Sequence, residues 1–139
     1  YEELGGFVKR TIFNEDMIYA GTIVEAGGKI AYCADAEVVH SHNYSAIQQF
    51  HRNFDLAVSQ AMHPEIFGGI RSESEGIRLV KGSLAYCLKI GKPWLMFQVI
   101  SQSAGKFLGY KLGHCYGRLP RKVLLVCTMN REFWEKEEL

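Results

Sequence analysis

Lys29-Ile30-Ala31-Tyr32-Cys33, then Ala34-Asp35-Ala36, then Glu37-Val38-Val39-His40-Ser41-His42 separate two regions of helical patterning. β-branched and aromatic residues give the outer two pieces strand character, and the middle piece breaks them. Two short strands are therefore predicted, over residues 29–33 and 37–42. On the second, Val38, His40 and His42 share a face by period two. With about four helices around them, the two strands place the chain in the α+β class, mostly helical. A lone pair of short strands is marginal and needs further strands or helices beside it. The chain also opens at Tyr1, without an initiator Met, and runs at once into Gly5-Gly6-Phe7, as a piece of a longer protein would.

Outward from that stretch the pattern is helical. Asn14 is a good N-cap, Glu15 and Asp16 suit the positive end of a helix dipole, and Gly27-Gly28 supplies a stop. Met17, Ala20, Gly21 and Val24 are the expected core positions of that helix. A second helix is predicted from Ser45 to about Met62, burying Ile47, Phe50, Phe54, Ala57 and Ala61, with Gln48, Arg52, Asp55 and Ser59 on the other face and Pro64 beyond its end. Ser72-Glu73-Ser74-Glu75 reads as a capping box opening a third helix, which Gly91 closes. Pro93 starts a fourth, carried to about Leu112. Gly109, Gly113 and Gly117, spaced by four, would allow close backbone approach.

Composition narrows the class. At 139 residues, 47% hydrophobic and 22% charged, the chain is neither a disordered tail nor a disulfide mini-scaffold. No run reaches the roughly 18 apolar residues of a membrane span. Cys33, Cys87, Cys115 and Cys127 form no CxxC pair and follow no secretory leader, so free thiols, each a small buried hydrophobe, are expected in a reducing, cytoplasmic setting.

Charge is unevenly spread. Residues 1–75 hold 11 acids and 5 bases, whereas residues 76–131 hold 10 bases and no acid. Asymmetry of this kind within one chain points to a partner. Trp94, Phe97, Phe107, Tyr110 and Tyr116 lie among those bases, which fits an anionic membrane surface better than nucleic acid. Helices whose bases simply solvate an outer face are the other reading.

Three groups carry candidate chemistry. Glu15 and Asp16 either serve as acids of a site or complement the helix dipole. His40 and His42 can bind a divalent metal or a phosphate, or pack structurally. Gln49, His51 and Arg52 can clamp a phosphate or a sugar hydroxyl, although the spacing is common on solvated helices.

In order, Gly5-Gly6-Phe7, Phe13-Asn14-Glu15-Asp16, Ala26-Gly27-Gly28-Lys29-Ile30-Ala31-Tyr32, Ala36-Glu37-Val38-Val39-His40-Ser41-His42 and Ser45-Ala46-Ile47-Gln48-Gln49-Phe50 resemble the second half of a family 2 glycosyltransferase. The closest group is the bacterial rhamnosyltransferase-like enzymes of cell-surface polysaccharide synthesis. Leu108-Gly109-Tyr110-Lys111-Leu112-Gly113, Leu119-Pro120 and Phe133-Trp134 are similar to the end of the same group.

The resemblance implies a GT-A α/β fold whose nucleotide-binding half carries an Asp-x-Asp metal motif. That motif is absent here, so the chain resembles the acceptor half, in residues 1–70, followed by a basic helical region in residues 71–139. Alone it is expected to be inactive. Asp16, beside Glu15, matches the family's general base for an inverting transfer from a nucleotide-sugar donor to a lipid-linked glycan acceptor. His40 matches a histidine near the divalent metal (Mg or Mn) and the diphosphate, with His42 as second choice, and Gln49 and Arg52 match substrate-binding positions. Gln49-Phe50-His51-Arg52 resembles the QxxRW signature of processive members, but Asn53 replaces the tryptophan, which favours a single transfer. The implied location is the cytoplasmic, inner face of the cell membrane, and a face left open in the piece would suit a second copy of the chain. The competing class is a non-catalytic, membrane-peripheral helical binding module.

Overall fold

A computed structural model describes residues 1–39, 42–69 and 73–135. Its α-helices are α1 (Glu15–Glu25), α2 (Ala46–Met62), α3 (Pro64–Phe67), α4 (Glu73–Lys89), α5 (Leu95–His114), α6 (Arg121–Cys127) and α7 (Arg131–Glu135), with single 3-10 turns at Glu2–Leu4 and Tyr116–Arg118. The four long helices correspond to the four predicted. The strands do not: among the described residues none forms, so the α+β assignment is corrected to all-helical.

The reason is physical. A strand is stabilised by a hydrogen-bonded neighbour, and residues 29–39 have none among the described residues. Tyr32 is 94% exposed and Val38 85%, and the segment's one internal tie is a turn from the Ala36 N–H to the Cys33 carbonyl at 3.3 Å. Local β propensity without a partner surface fixes nothing. His40 and Ser41 lie outside the described residues, as does Ser72 of the predicted capping box.

Two parallel helices build the molecule. A Cβ at Gly105 would collide with the Ala46 carbonyl oxygen, one at Gly109 with that of Phe50, and one at Gly113 with that of Phe54. Both rows advance by four, so α5 lies along α2 in the same direction, backbone against backbone. Gly109 and Gly113 are the close approach read from the sequence; Gly105 extends it, and Gly117 takes no part, because a Cβ there would meet nothing within 4 Å. Parallel neighbours need a long return connection, which α3 and α4 supply. α4 ends in a Schellman motif: the Lys92 N–H bonds the Cys87 carbonyl and the Gly91 N–H the Leu88 carbonyl, with Gly91 at φ 68°.

The core lies where α2 meets the two chain ends: Phe54 and Val58 pack with Ile12, Leu124, Cys127 and Trp134. Ser59 and Asp55, expected on the outer face of α2, are buried, because residues 12–14 cover one and the α6–α7 junction the other. Ile47, expected inside, is 70% exposed. In α1 the buried residue is Ile18, while Met17 and Val24 face outward. Cys87 and Cys127 are buried but Cys33 and Cys115 are exposed, and all four thiols are free.

Candidate functional site

α5 begins well before Gly105, so its first turns overhang the N-terminus of α2. The overhang, the loop 42–45 and the first turn of α2 enclose a cleft of about 620 Å³. Its described lining includes Gln48 and Gln49 from α2, Gln98, Ser101 and Gln102 from α5, and Tyr44 and His42 from the loop, with no Lys, Arg, Asp or Glu.

Local bonds set the loop in place. Ser45 caps α2 with a full capping box: its hydroxyl accepts from the Gln48 N–H at 3.2 Å, and the Gln48 side-chain oxygen accepts from the Ser45 N–H at 2.9 Å. Gln102 Nε2 donates to the Tyr44 carbonyl at 3.2 Å, pinning the loop to α5. The His42 and Tyr44 rings stack at 5.0 Å and 14°. Arg52 stands behind them, its guanidinium 5.9 Å from the Tyr44 ring and 4.9 Å from the Phe13 ring. The cleft wall is thus tied through Arg52 to the segment that leads into α1.

That segment holds the acidic pair. Asn14 adopts the left-handed conformation, φ 62°, and its side chain makes no cap bond to α1; it is buried and donates to the Leu56 carbonyl at 3.4 Å. The Ser59 hydroxyl donates to the Phe13 carbonyl at 2.6 Å. α1 therefore starts against the middle of α2, one to two turns beyond Arg52. Glu15 and Asp16 are exposed in its first turn, and Asp16 Oδ1 accepts from the Met17 N–H at 2.8 Å.

Of the residues singled out in the sequence, His42 and Gln49 line the cleft, Arg52 buttresses it, and Glu15 and Asp16 stand outside its lining. His40 lies outside the described residues. His51 turns inward, its Nδ1–H donating to the Cys127 carbonyl at 2.8 Å. The residue pattern does not single out Gln98, Ser101 and Gln102. Their signal is nevertheless present, as three polar residues at i, i+3 and i+4 in the uncharged run 93–105. Among the described residues, no three His, Cys, Asp or Glu side chains gather as a metal site. The divalent metal implied by the resemblance therefore finds no ligand set among them. Nor is any helix among them long and apolar enough to cross a membrane.

Two curated proteins match the chain over 137 residues, 96% of its length. It is 43% identical to the O-antigen chain rhamnosyltransferase WbaN of Salmonella anatum and 42% identical to the O-antigen chain rhamnosyltransferase RfbN of Salmonella typhimurium strain LT2. The chain spans 42% of the first and 43% of the second. No family model matches it, and no solved structure does. Over nearly its whole length the chain is similar to part of these two rhamnosyltransferases.

Proposed function

We propose that the chain is the acceptor-side part of a glycosyltransferase of cell-surface polysaccharide synthesis, taking a sugar from a nucleotide-sugar donor to a glycan acceptor. The observation that carries this reading is the likeness to two O-antigen chain rhamnosyltransferases across 96% of the chain. Residues 1–70 belong to the catalytic unit and residues 71–139 form its basic helical region.

Asp16 is the general base. Its carboxylate takes the proton of the acceptor hydroxyl as that oxygen bonds to the anomeric carbon. On the opposite face the bond to the diphosphate breaks, and the nucleoside diphosphate leaves with the electron pair, giving inversion. The exposed position of Asp16 at the start of a helix anchored on α2 supports the role. Glu15 flanks it, and Arg52, Gln49 and His42 serve substrate binding.

The protein acts at the inner face of the cell membrane, where a lipid-linked acceptor is presented. In support, all ten bases of residues 76–131 are exposed, and so are Trp94, Phe97, Ile100, Phe107 and Leu108 around α5. The same surface favours the second reading, a binding module without catalysis. Incubating the full-length protein with nucleotide-linked rhamnose and a membrane extract of acceptor lipid separates the two. Rhamnosyl transfer supports the enzyme, and acceptor binding without transfer supports the module.

A further inference from the structure

The cleft between the α5 overhang and the 42–45 loop has a chemistry of its own. Four glutamines, Gln48, Gln49, Gln98 and Gln102, and the Ser101 hydroxyl face one hollow of about 620 Å³, a volume that suits one or two sugar rings. A sugar hydroxyl donates and accepts at once, and a carboxamide does both with a fixed geometry. An anionic ligand would call for Arg or Lys, which are absent from the lining among the described residues, and an apolar one would leave the amides without partners. Part of the amide capacity already holds the site together: Gln102 Nε2 fixes the Tyr44 carbonyl, and Gln48 Oε1 closes the capping box. A planar amide still has a second N–H and its carbonyl lone pairs on Gln102, and both N–H groups on Gln48. The site is pre-formed, because both walls are anchored to the same helix pair.

We infer that this cleft is a binding subsite for an uncharged sugar of the glycan acceptor, with Gln98 and Ser101 of α5 as recognition residues and Gln102 as the residue that positions the loop. The inference rests on the transferase reading and names its acceptor chemistry. It also gives the first half of α5 a role apart from the basic surface.

The test needs no catalysis. The chain, with its glutamine side-chain amides followed by NMR, is titrated with methyl α-glucoside, methyl α-rhamnoside and glucuronate. The neutral glycosides should shift the Gln98 and Gln102 amide signals, and glucuronate should bind about tenfold more weakly. Gln98→Leu should weaken the neutral glycosides about fivefold with an unchanged helical spectrum. Gln49→Leu, on the facing wall, gives an independent second variant with the same expected loss. No shift with either neutral glycoside, equal binding of glucuronate, or indifference to both glutamine variants overturns the subsite. None of these three results bears on transfer by the full-length protein, whose failure would instead remove the transferase reading.

Discussion

Asp55 and Thr128 are joined by a 2.6 Å hydrogen bond from the threonine hydroxyl to the aspartate carboxylate, and both residues are buried. The second carboxylate oxygen accepts from the Met129 N–H at 2.8 Å, and the Thr128 hydroxyl oxygen accepts from the Asn130 N–H at 2.9 Å. One side chain of α2 thereby fastens the α6–α7 junction, which carries Leu124, Cys127 and Trp134 into the core. Asp55→Ala strands two donors and should cost about 2 to 4 kcal/mol, measured as a lower urea midpoint, while Asp55→Asn keeps one acceptor and should cost about half as much.

The same group sets a pH dependence. Burial pushes the Asp55 carboxyl above its ordinary value, against the opposing bonds from Thr128, Met129 and Asn130 and the nearby His51. The folded chain therefore holds this proton more tightly than the unfolded chain does, so the Asp55 contribution to stability falls as pH rises from the ordinary aspartate value through the raised folded one. Denaturation midpoints taken across that window should decline for the native sequence relative to Asp55→Asn. A flat difference between the two would mean that folding leaves the proton affinity of Asp55 unchanged.

Close packing of α5 on α2 makes Gly109 intolerant. Gly109→Ala should destabilise by about 1 to 3 kcal/mol, since the Phe50 carbonyl cannot move without breaking α2. Gly82→Ala, in α4 with open space around it, should instead stabilise by about 0.5 to 1 kcal/mol through helix propensity. Thermal melts of the two variants should move in opposite directions.

Membrane association should be electrostatic and apolar together. Vesicles containing anionic lipid should pull the chain down at low salt, release most of it at high salt, and bind it weakly when Arg118, Arg121 and Lys122 are changed to Glu. Phe97→Ser and Phe107→Ser should weaken binding at either salt concentration, both side chains being more than half exposed. Equal partitioning onto neutral and anionic vesicles would contradict the proposed surface.

Much of the helical scaffold is legible in the residues, because Ser45, Pro64, Gly91 and Pro93 act through local backbone chemistry. What is not legible is long-range. Residues 29–39 carry strand propensity, yet a strand is made by its neighbour, and no neighbour is among the described residues. Helical periodicity puts Asp55 and Ser59 outside because it cannot see residues 12–14 or 127–129 arriving over the polar side of α2. Asn14 has the right identity for a cap, but buries its amide on Leu56 and uses its tolerance of positive φ. On the site, His42 and Gln49 are legible from the resemblance, and the α5 wall is not. Its glutamines look like a solvated stripe until the parallel register of α2 and α5 leaves them overhanging a loop.

The proposed role of Asp16 is open to a direct measurement. In the full-length protein, Asp16→Asn removes the base and keeps the shape of the first turn of α1, where the Met17 N–H retains an acceptor. Initial rates of rhamnosyl transfer should fall by about 10² to 10⁴, the usual worth of a positioned base, with nucleotide-sugar affinity and thermal midpoint near those of the native sequence. Transfer at close to the native rate would contradict the assignment of Asp16 as the general base.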